Sequence, residues 1–224
     1  MEKIINDNNI LFEAIINIFT VEKGTLKILL ERKKEDPYKG YWQLPNELLN
    51  KNETLDQKIT EILKQKIGID SIYKEQSYSF SDIKRNPNER VIATSYIGII
   101  DSKTIELKKE DLKNNDTEWF SISEIPKMAF DHKIIIENAS DKLRTRLVNS
   151  NVLKNLFPSD FTLPELQNVY ENILNKKLDR RNFRKKFIAL NIIEDTGYKN
   201  EGASGRPAKL YKFKENIDEI NLFW

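Results

Sequence analysis

A short basic helix followed by a hairpin signal, within residues 179–213, restricts this chain more than any other feature. Asp-Arg-Arg-Asn-Phe-Arg-Lys-Lys-Phe-Ile-Ala-Leu runs from Asp179 to Leu190, and Gly-Arg-Pro-Ala-Lys-Leu-Tyr-Lys-Phe from Gly205 to Phe213. An aspartate before a helix accepts hydrogen bonds from the unpaired N–H groups of the first turn, so Asp179 is the expected N-cap. Phe183, Phe187 and Leu190 recur at helical spacing and define an apolar face. At about 100° per residue, Arg181 and Lys185 point away from that face, with Asn182 and Arg184 on its flanks. One side of such a helix is suited to burial. The other presents donors to the major groove of a duplex.

The charge distribution agrees with that expectation. The formal net charge is only +2, yet residues 174–214 hold twelve Lys or Arg against four Asp or Glu. A local basic segment on a balanced chain is the footprint of phosphate-backbone contact. A merely solvated helix face is the alternative reading, and the adjacent wing favours DNA. With 39% hydrophobic and 10% aromatic residues, the 224-residue chain can bury a core despite 32% charge. No apolar run reaches membrane-spanning length, and the start lacks the apolar core of a signal peptide. The expected location is therefore the cytoplasm, with no membrane contact. Cysteine is absent and histidine occurs once, which argues against a thiolate or zinc centre.

Residues 10–20 and 25–32 read as strands joined near Lys23-Gly24. Leu55, Ile59, Leu63 and Ile67 mark an amphipathic helix over 54–67 that Gly68 ends. Strands are expected at 73–80 and 91–100, with a strand end at Trp119-Phe120. Asp131 stands where it can cap a helix over about 132–148. From residue 151 the pattern turns helical: Thr162 and Glu165 form a capping box, and Pro164 lies in the first turn. Leu166, Val169, Tyr170 and Ile173 make an apolar stripe. Together with the basic helix and hairpin they predict a winged helix-turn-helix. The expected class is α+β, an N-terminal α/β/α sandwich over 1–148 followed by a winged helix over 149–224. No low-complexity linker separates them, so the two units are expected to abut.

Residues 42–69 resemble a Nudix box, the loop–helix that holds Mg²⁺ on a diphosphate in Nudix hydrolases. Anchored on Gly68-Ile69, the frame matches at Trp42-x-Leu44-Pro45, Glu53 and Leu63. The chemical positions differ: the opening Gly is Glu47, the Arg is Glu61, and the three helix glutamates are Ile62, Gln65 and Lys66. A hard cation needs oxygen ligands and charge neutralisation, which those side chains do not supply. The box reads as a scaffold that has lost hydrolysis, with no catalytic or metal-binding residues. Lys66 is either an ordinary helix lysine or the positive partner of a bound diphosphate.

Both halves together resemble the Nudix-related transcriptional regulators of NrtR type. The resemblance rests on Phe-Thr-Leu-x-Glu-Leu-Gln-x-x-Tyr-Glu-x-Ile at 161–173, Leu-Asp-x-Arg-Asn-Phe-Arg-Lys-Lys at 178–186 and Gly-Arg-Pro-Ala-x-Leu-Tyr-x-Phe at 205–213. Phe130-Asp131-His132 and the stretch Arg85, Pro87, Arg90-Val91 extend it. It implies a homodimeric repressor, not an enzyme, that reads a near-palindromic operator on double-stranded DNA. It also implies control by a nucleotide-sugar effector such as ADP-ribose, in NAD metabolism, with no bound cofactor. Pentose-pathway regulators with other effectors, and a residual ADP-ribose hydrolase, are the alternatives.

Arg181, Asn182 and Lys185 are the expected base-edge readers, because Arg pairs bidentately with guanine and Asn with adenine. Arg180, Arg184, Lys186 and Lys209 are assigned to phosphates, which set position. Gly205 allows the wing's tight turn, and Arg206 reaches a minor groove or a phosphate. Thr162, at the start of the first helix of the reader, is placed in the same interface. The expected ligand-binding residues are Arg32, Phe80, Arg85, Arg90 and Lys66, since a guanidinium suits phosphate and Phe80 can stack on a base. His132 is expected to make a structural hydrogen bond.

Overall fold

The computed structural model describes residues 10–22, 25–101, 104–105, 116–149, 152–157, 160–200 and 207–214. Strand β1 (Leu11–Glu22) organises the first unit, and every residue from Ala14 to Thr20 along it is buried. A strand covered on both faces carries a nearly continuous apolar run instead of an alternation, as Ala-Ile-Ile-Asn-Ile-Phe-Thr does here. It pairs antiparallel with β2 (Thr25–Arg32) and parallel with β6 (Val91–Ile99). β3 (Trp42–Gln43) extends the sheet beyond β2, and β5 (Tyr73–Phe80) beyond β6, giving the order β3-β2-β1-β6-β5. β4 (Asn46–Leu48) adds to β1, and β7 (Thr117–Ser121) to β2. The turn expected at Lys23-Gly24 lies outside the described residues.

Successive strand side chains point to opposite faces, so β1 serves two layers. Ile15 and Phe19 share one core with Ile135, Ala139, Leu143 and Leu147 of helix α2 (His132–Asn149). Ala14, Ile16 and Ile18 share another with Ile59, Ile62, Leu63 and Ile67 of helix α1 (Leu55–Ile67). The result is the expected α/β/α sandwich. Thr54 and Gln57 form a capping box at the start of α1, and Gly68 closes it at φ 64°, donating its N–H to Lys64 O. Asp131 precedes α2 as expected, its carbonyl accepting from Ile134 N at 2.9 Å and Ile135 N at 3.2 Å, but its side chain is used elsewhere. Its carboxylate takes both Arg85 nitrogens, Nε and Nη2, each at 3.0 Å.

The second unit follows a 3₁₀ turn at Val152–Asn155. β8 (Phe161–Thr162) leads into α3 (Leu163–Leu174), α4 (Arg180–Ala189), β9 (Ile193–Lys199) and β10 (Lys209–Phe213). The three strands form a small antiparallel sheet in the order β8-β10-β9. Leu143 and Leu147 of α2 belong to the same buried cluster as Val152, Leu156, Leu166 and Ile173. Arg144 Nε also donates to Ile173 O at 2.9 Å, across the seam. The units therefore abut through apolar contact and a hydrogen bond. Among the described residues, no helix is long and apolar enough to cross a membrane.

Strand β5 is tied to α2 by Glu75, which pairs with Arg146 and with Lys142 at 2.9 Å and accepts from the Tyr73 hydroxyl at 2.9 Å. Burial opposes ionisation, but the hydrogen bonds from Arg146, Lys142 and Tyr73 outweigh it and hold the Glu75 carboxyl down to about 2. A depressed carboxyl contributes stability that is complete above its ordinary value near 4.5 and is lost as pH falls toward about 2. Glu75→Gln should thus lower the melting temperature at neutral pH and flatten its decline across that acid window. Thermal melts at several pH values measure this. Parallel curves for variant and wild type would remove the assignment.

Candidate DNA interface and effector pocket

Helix α4 begins where Asp179 accepts from Asn182 N at 2.8 Å, as its N-cap position requires. Its inner side is aromatic. Phe183 and Phe187 are fully buried, stacked with centroids 4.5 Å apart, and each meets Tyr170 of α3 edge-on at 5.6 and 5.2 Å. Aromatic pairs in such geometry gain about 0.5–1.5 kcal/mol beyond area burial, so α4 is held in a defined orientation. Its outer side carries Arg180, Arg181, Asn182, Arg184 and Lys185, all exposed. Among the described residues none of those four cations pairs with a carboxylate. Lys186 is half-buried, and burial lowers its ammonium below the ordinary lysine value.

The turn between α3 and α4 is fixed by Glu171. Its carboxylate accepts from Lys177 Nζ at 2.8 Å, Gln167 Nε2 at 2.9 Å and Leu178 N at 3.0 Å. Those hydrogen bonds, Lys177 foremost, bring its carboxyl down to about 2. Between α4, the wing and the start of α3 runs a groove of about 500 Å³, with Arg180, Arg184, Lys199 and Lys209 on its walls. Four cations around one open groove suit a phosphate backbone. Lys209 also pairs with Asp195 at 2.6 Å, so its charge reaches the groove partly compensated.

One expectation for this surface needs revision. Thr162 is buried at 4% exposure, and its hydroxyl accepts from Glu165 N while Glu165 accepts from Thr162 N at 2.7 Å. It closes the α3 capping box and is not available to DNA. Gly205 and Arg206 lie outside the described residues. Lys199, which sequence reasoning did not single out, joins the groove because the β9–β10 pairing places Lys199 opposite Lys209. Its clustering with α4 depends on the wing folding back.

The first unit holds a second basic concavity, of about 380 Å³, walled by Glu31, Arg32, Lys33, Lys34, Glu35, Gln43, Gln65 and Lys66. It brings together Arg32 and Lys66, two of the expected ligand residues. Arg32 lays its guanidinium 4.3 Å over the Trp42 ring and donates to Gly40 O at 2.9 Å. Lys66 Nζ lies 2.8 Å from Glu31 Oε2. Lys33 and Lys34 were not anticipated, although the run Arg32-Lys33-Lys34 was visible as three consecutive cations.

Phe80, Arg85 and Arg90 do not line this pocket. Phe80 packs against Tyr78, with centroids 5.1 Å apart, and Arg90 Nη1 donates to Ser81 O at 3.0 Å and Asp82 O at 3.2 Å. Arg85 is corrected from ligand contact to internal ion pairing. Buried at 6% exposure, it donates to Asp131 through two nitrogens and to Glu13 at 2.9 Å, so its donors are already directed inward. His132 is structural as expected: Leu44 N donates to its Nδ1 at 3.0 Å. Burial, then the nearby Arg85 and Lys33 charges, push it down to about 3 and keep it neutral.

Residues 153–213 match the family model described as the NrtR DNA-binding winged helix domain. The chain is 34% identical over 209 residues to the ADPR responsive transcriptional repressor NtrR of Acinetobacter baylyi, covering 92% of this chain and 82% of that protein. It superposes on Shewanella oneidensis NrtR, crystallised with a 27mer DNA, with a TM-score of 0.79 at 28% identity, over 91% of this chain and 93% of that one. The chain is also 33% identical over 118 residues to an ADP-ribose pyrophosphatase of Methanocaldococcus jannaschii, covering 53% of this chain and 68% of the enzyme. With an α/β/α unit joined to a basic winged helix and a 34% identical relative that matches 92% of this chain, the chain belongs to the NrtR family of Nudix-related transcriptional regulators.

Proposed function

We propose that this protein is a DNA-binding transcriptional repressor controlled by ADP-ribose, with residues 1–148 as the sensor and 149–224 as the reader. The exposed basic side of α4, held by Phe183 and Phe187 and flanked by the wing, carries this reading. Arg181, Asn182 and Lys185 read base edges, while Arg180, Arg184, Lys199 and Lys209 grip phosphates. Lys186, nearer the core, serves position more than recognition. Two copies related by a two-fold axis would present their α4 helices to successive half-sites of a near-palindromic operator. ADP-ribose shifts the arrangement only by binding the DNA-competent state and the other state with different affinities.

The direct measurement is fluorescence anisotropy of the chain on DNA upstream of its own gene neighbourhood, with and without ADP-ribose. Arg181→Ala should cost about 1–3 kcal/mol of operator affinity and relax preference at one base pair, as loss of a bidentate base contact does. Arg184→Ala should instead weaken operator and random duplex alike and reduce the salt slope by about 0.9. Equal binding of operator and random duplex by the wild type would defeat the regulator reading.

The similarity to an ADP-ribose pyrophosphatase supports a second reading, residual hydrolysis. The donor set argues against it. Glu53 is the one box glutamate retained, and it is engaged by Lys58 at 3.2 Å. No Mg²⁺-dependent turnover of ADP-ribose is expected; turnover abolished by Glu53→Gln would reverse this conclusion.

A further inference from the structure

The Nudix scaffold implies a divalent cation, and the side chains present do not fit one. Ile62 is fully buried in the α1 core, and Gln65 Nε2 donates to Glu61 Oε1 at 3.2 Å. The nearby carboxylates of Glu47, Glu53 and Glu61 converge on a different cation, the buried ammonium of Lys58, at 3.4, 3.2 and 2.8 Å. Their hold, led by Glu61, lifts that lysine well above its ordinary value. Among the described residues no group of three or more His, Cys, Asp or Glu is arranged to hold a metal.

Lys66 takes one of the metal-ligand positions of the box and opens onto the basic pocket. Its ammonium is only part-exposed and is oriented by Glu31, whose other oxygen accepts from Gln43 Nε2 at 2.9 Å. The pocket walls carry four cations against two carboxylates, and although Lys34 also pairs with Asp116 at 2.7 Å beyond the walls, a net positive charge is left for an anion such as a diphosphate. A partly desolvated ammonium attracts phosphate more strongly than one in bulk water. It supplies charge without a metal-bound water, so it can hold a phosphoanhydride without attacking it.

We infer that this pocket takes the diphosphate of its effector without a divalent cation, with the Lys66 ammonium standing where the metal would stand. The inference rests on the ADP-ribose reading for the effector's identity but not for the diphosphate chemistry. Calorimetric titration of the full chain with ADP-ribose and, separately, with inorganic pyrophosphate, each in chelator and in millimolar Mg²⁺, tests it. Mg²⁺ should not tighten ADP-ribose binding, and it should weaken the apparent affinity for pyrophosphate, which it chelates in solution. Lys66→Ala should weaken both ligands by about tenfold or more, as loss of a charge-assisted contact does. Lys66→Arg should recover much of that loss, and Lys64→Ala, at an exposed neighbour on α1, should change nothing.

Binding that requires Mg²⁺, or that ignores Lys66, overturns the inference while leaving ADP-ribose control intact. Pyrophosphate binding through Lys66 without any ADP-ribose binding supports the diphosphate site and removes ADP-ribose as effector. Failure of both ligands removes both. A circular dichroism melt of each variant separates lost binding from lost folding.

Discussion

Replacing Phe187 with alanine should destabilise the reader by about 3–5 kcal/mol, the usual cost of emptying a buried aromatic site. Phe187 is 0% exposed and touches Phe183 and Tyr170, so the cavity opens between the two helices of the reader. The cations of α4 are untouched by this change. Operator affinity should nevertheless collapse, because those side chains find a groove only when the helix beneath them is fixed. ADP-ribose binding to the first unit should persist, as its basic pocket draws on β2, β3 and α1. Urea unfolding together with DNA anisotropy measures both effects. A variant with the wild-type midpoint and wild-type affinity would show that another face holds the recognition helix.

A comparable loss is expected within the first unit. Arg85→Ala leaves Glu13 and Asp131, whose side chains are 13% and 15% exposed, facing one another without their guanidinium. Removing one partner of a buried ion pair typically costs about 3–5 kcal/mol, since the remaining charge stays desolvated. For a chain of this size that is a drop of roughly 6–20 °C in melting temperature. The deficit should depend on pH in a defined direction. Burial already raises the Glu13 carboxyl, with Arg85 working against it, so loss of Arg85 raises it further. A carboxyl raised in the folded state binds its proton more tightly there, so the variant regains stability as pH falls. Melts at pH 7 and pH 5 should show a smaller gap between variant and wild type at pH 5. An equal gap at both would mean that the cost arises from packing and not from charge.

These two sites also show where sequence reasoning succeeds and where it stops. Phe183 and Phe187 declare their burial by helical spacing, and Arg181, Arg184 and Lys185 declare their exposure by the same rule. Capping at Thr162 and Asp179 is likewise local, because a cap needs only a neighbour two or three residues away. Arg85 is the contrary case. Its partners lie 46 and 72 residues off in sequence, and nothing near Arg85 distinguishes an internal ion pair from a phosphate ligand. Lys66 similarly meets Glu31 only because α1 packs beside β2. Thr162 was assigned to the DNA surface, yet the strand pairing of Thr162 with Leu210 folds it under the wing.

The long strands and helices, the two faces of α4 and the loss of metal-binding carboxylates from α1 follow from the amino-acid sequence alone, whereas the short strands β3, β4 and β8 do not. Each of the former depends on periodicity or side-chain chemistry within a few residues. The choice among cations was made by the tertiary structure: Arg181 and Arg184 remain open, Arg85 is consumed inside, and Lys66 is turned toward a basic pocket. Coulomb energy depends on distance and desolvation, and both are set only when sheet register and helix packing bring distant segments together.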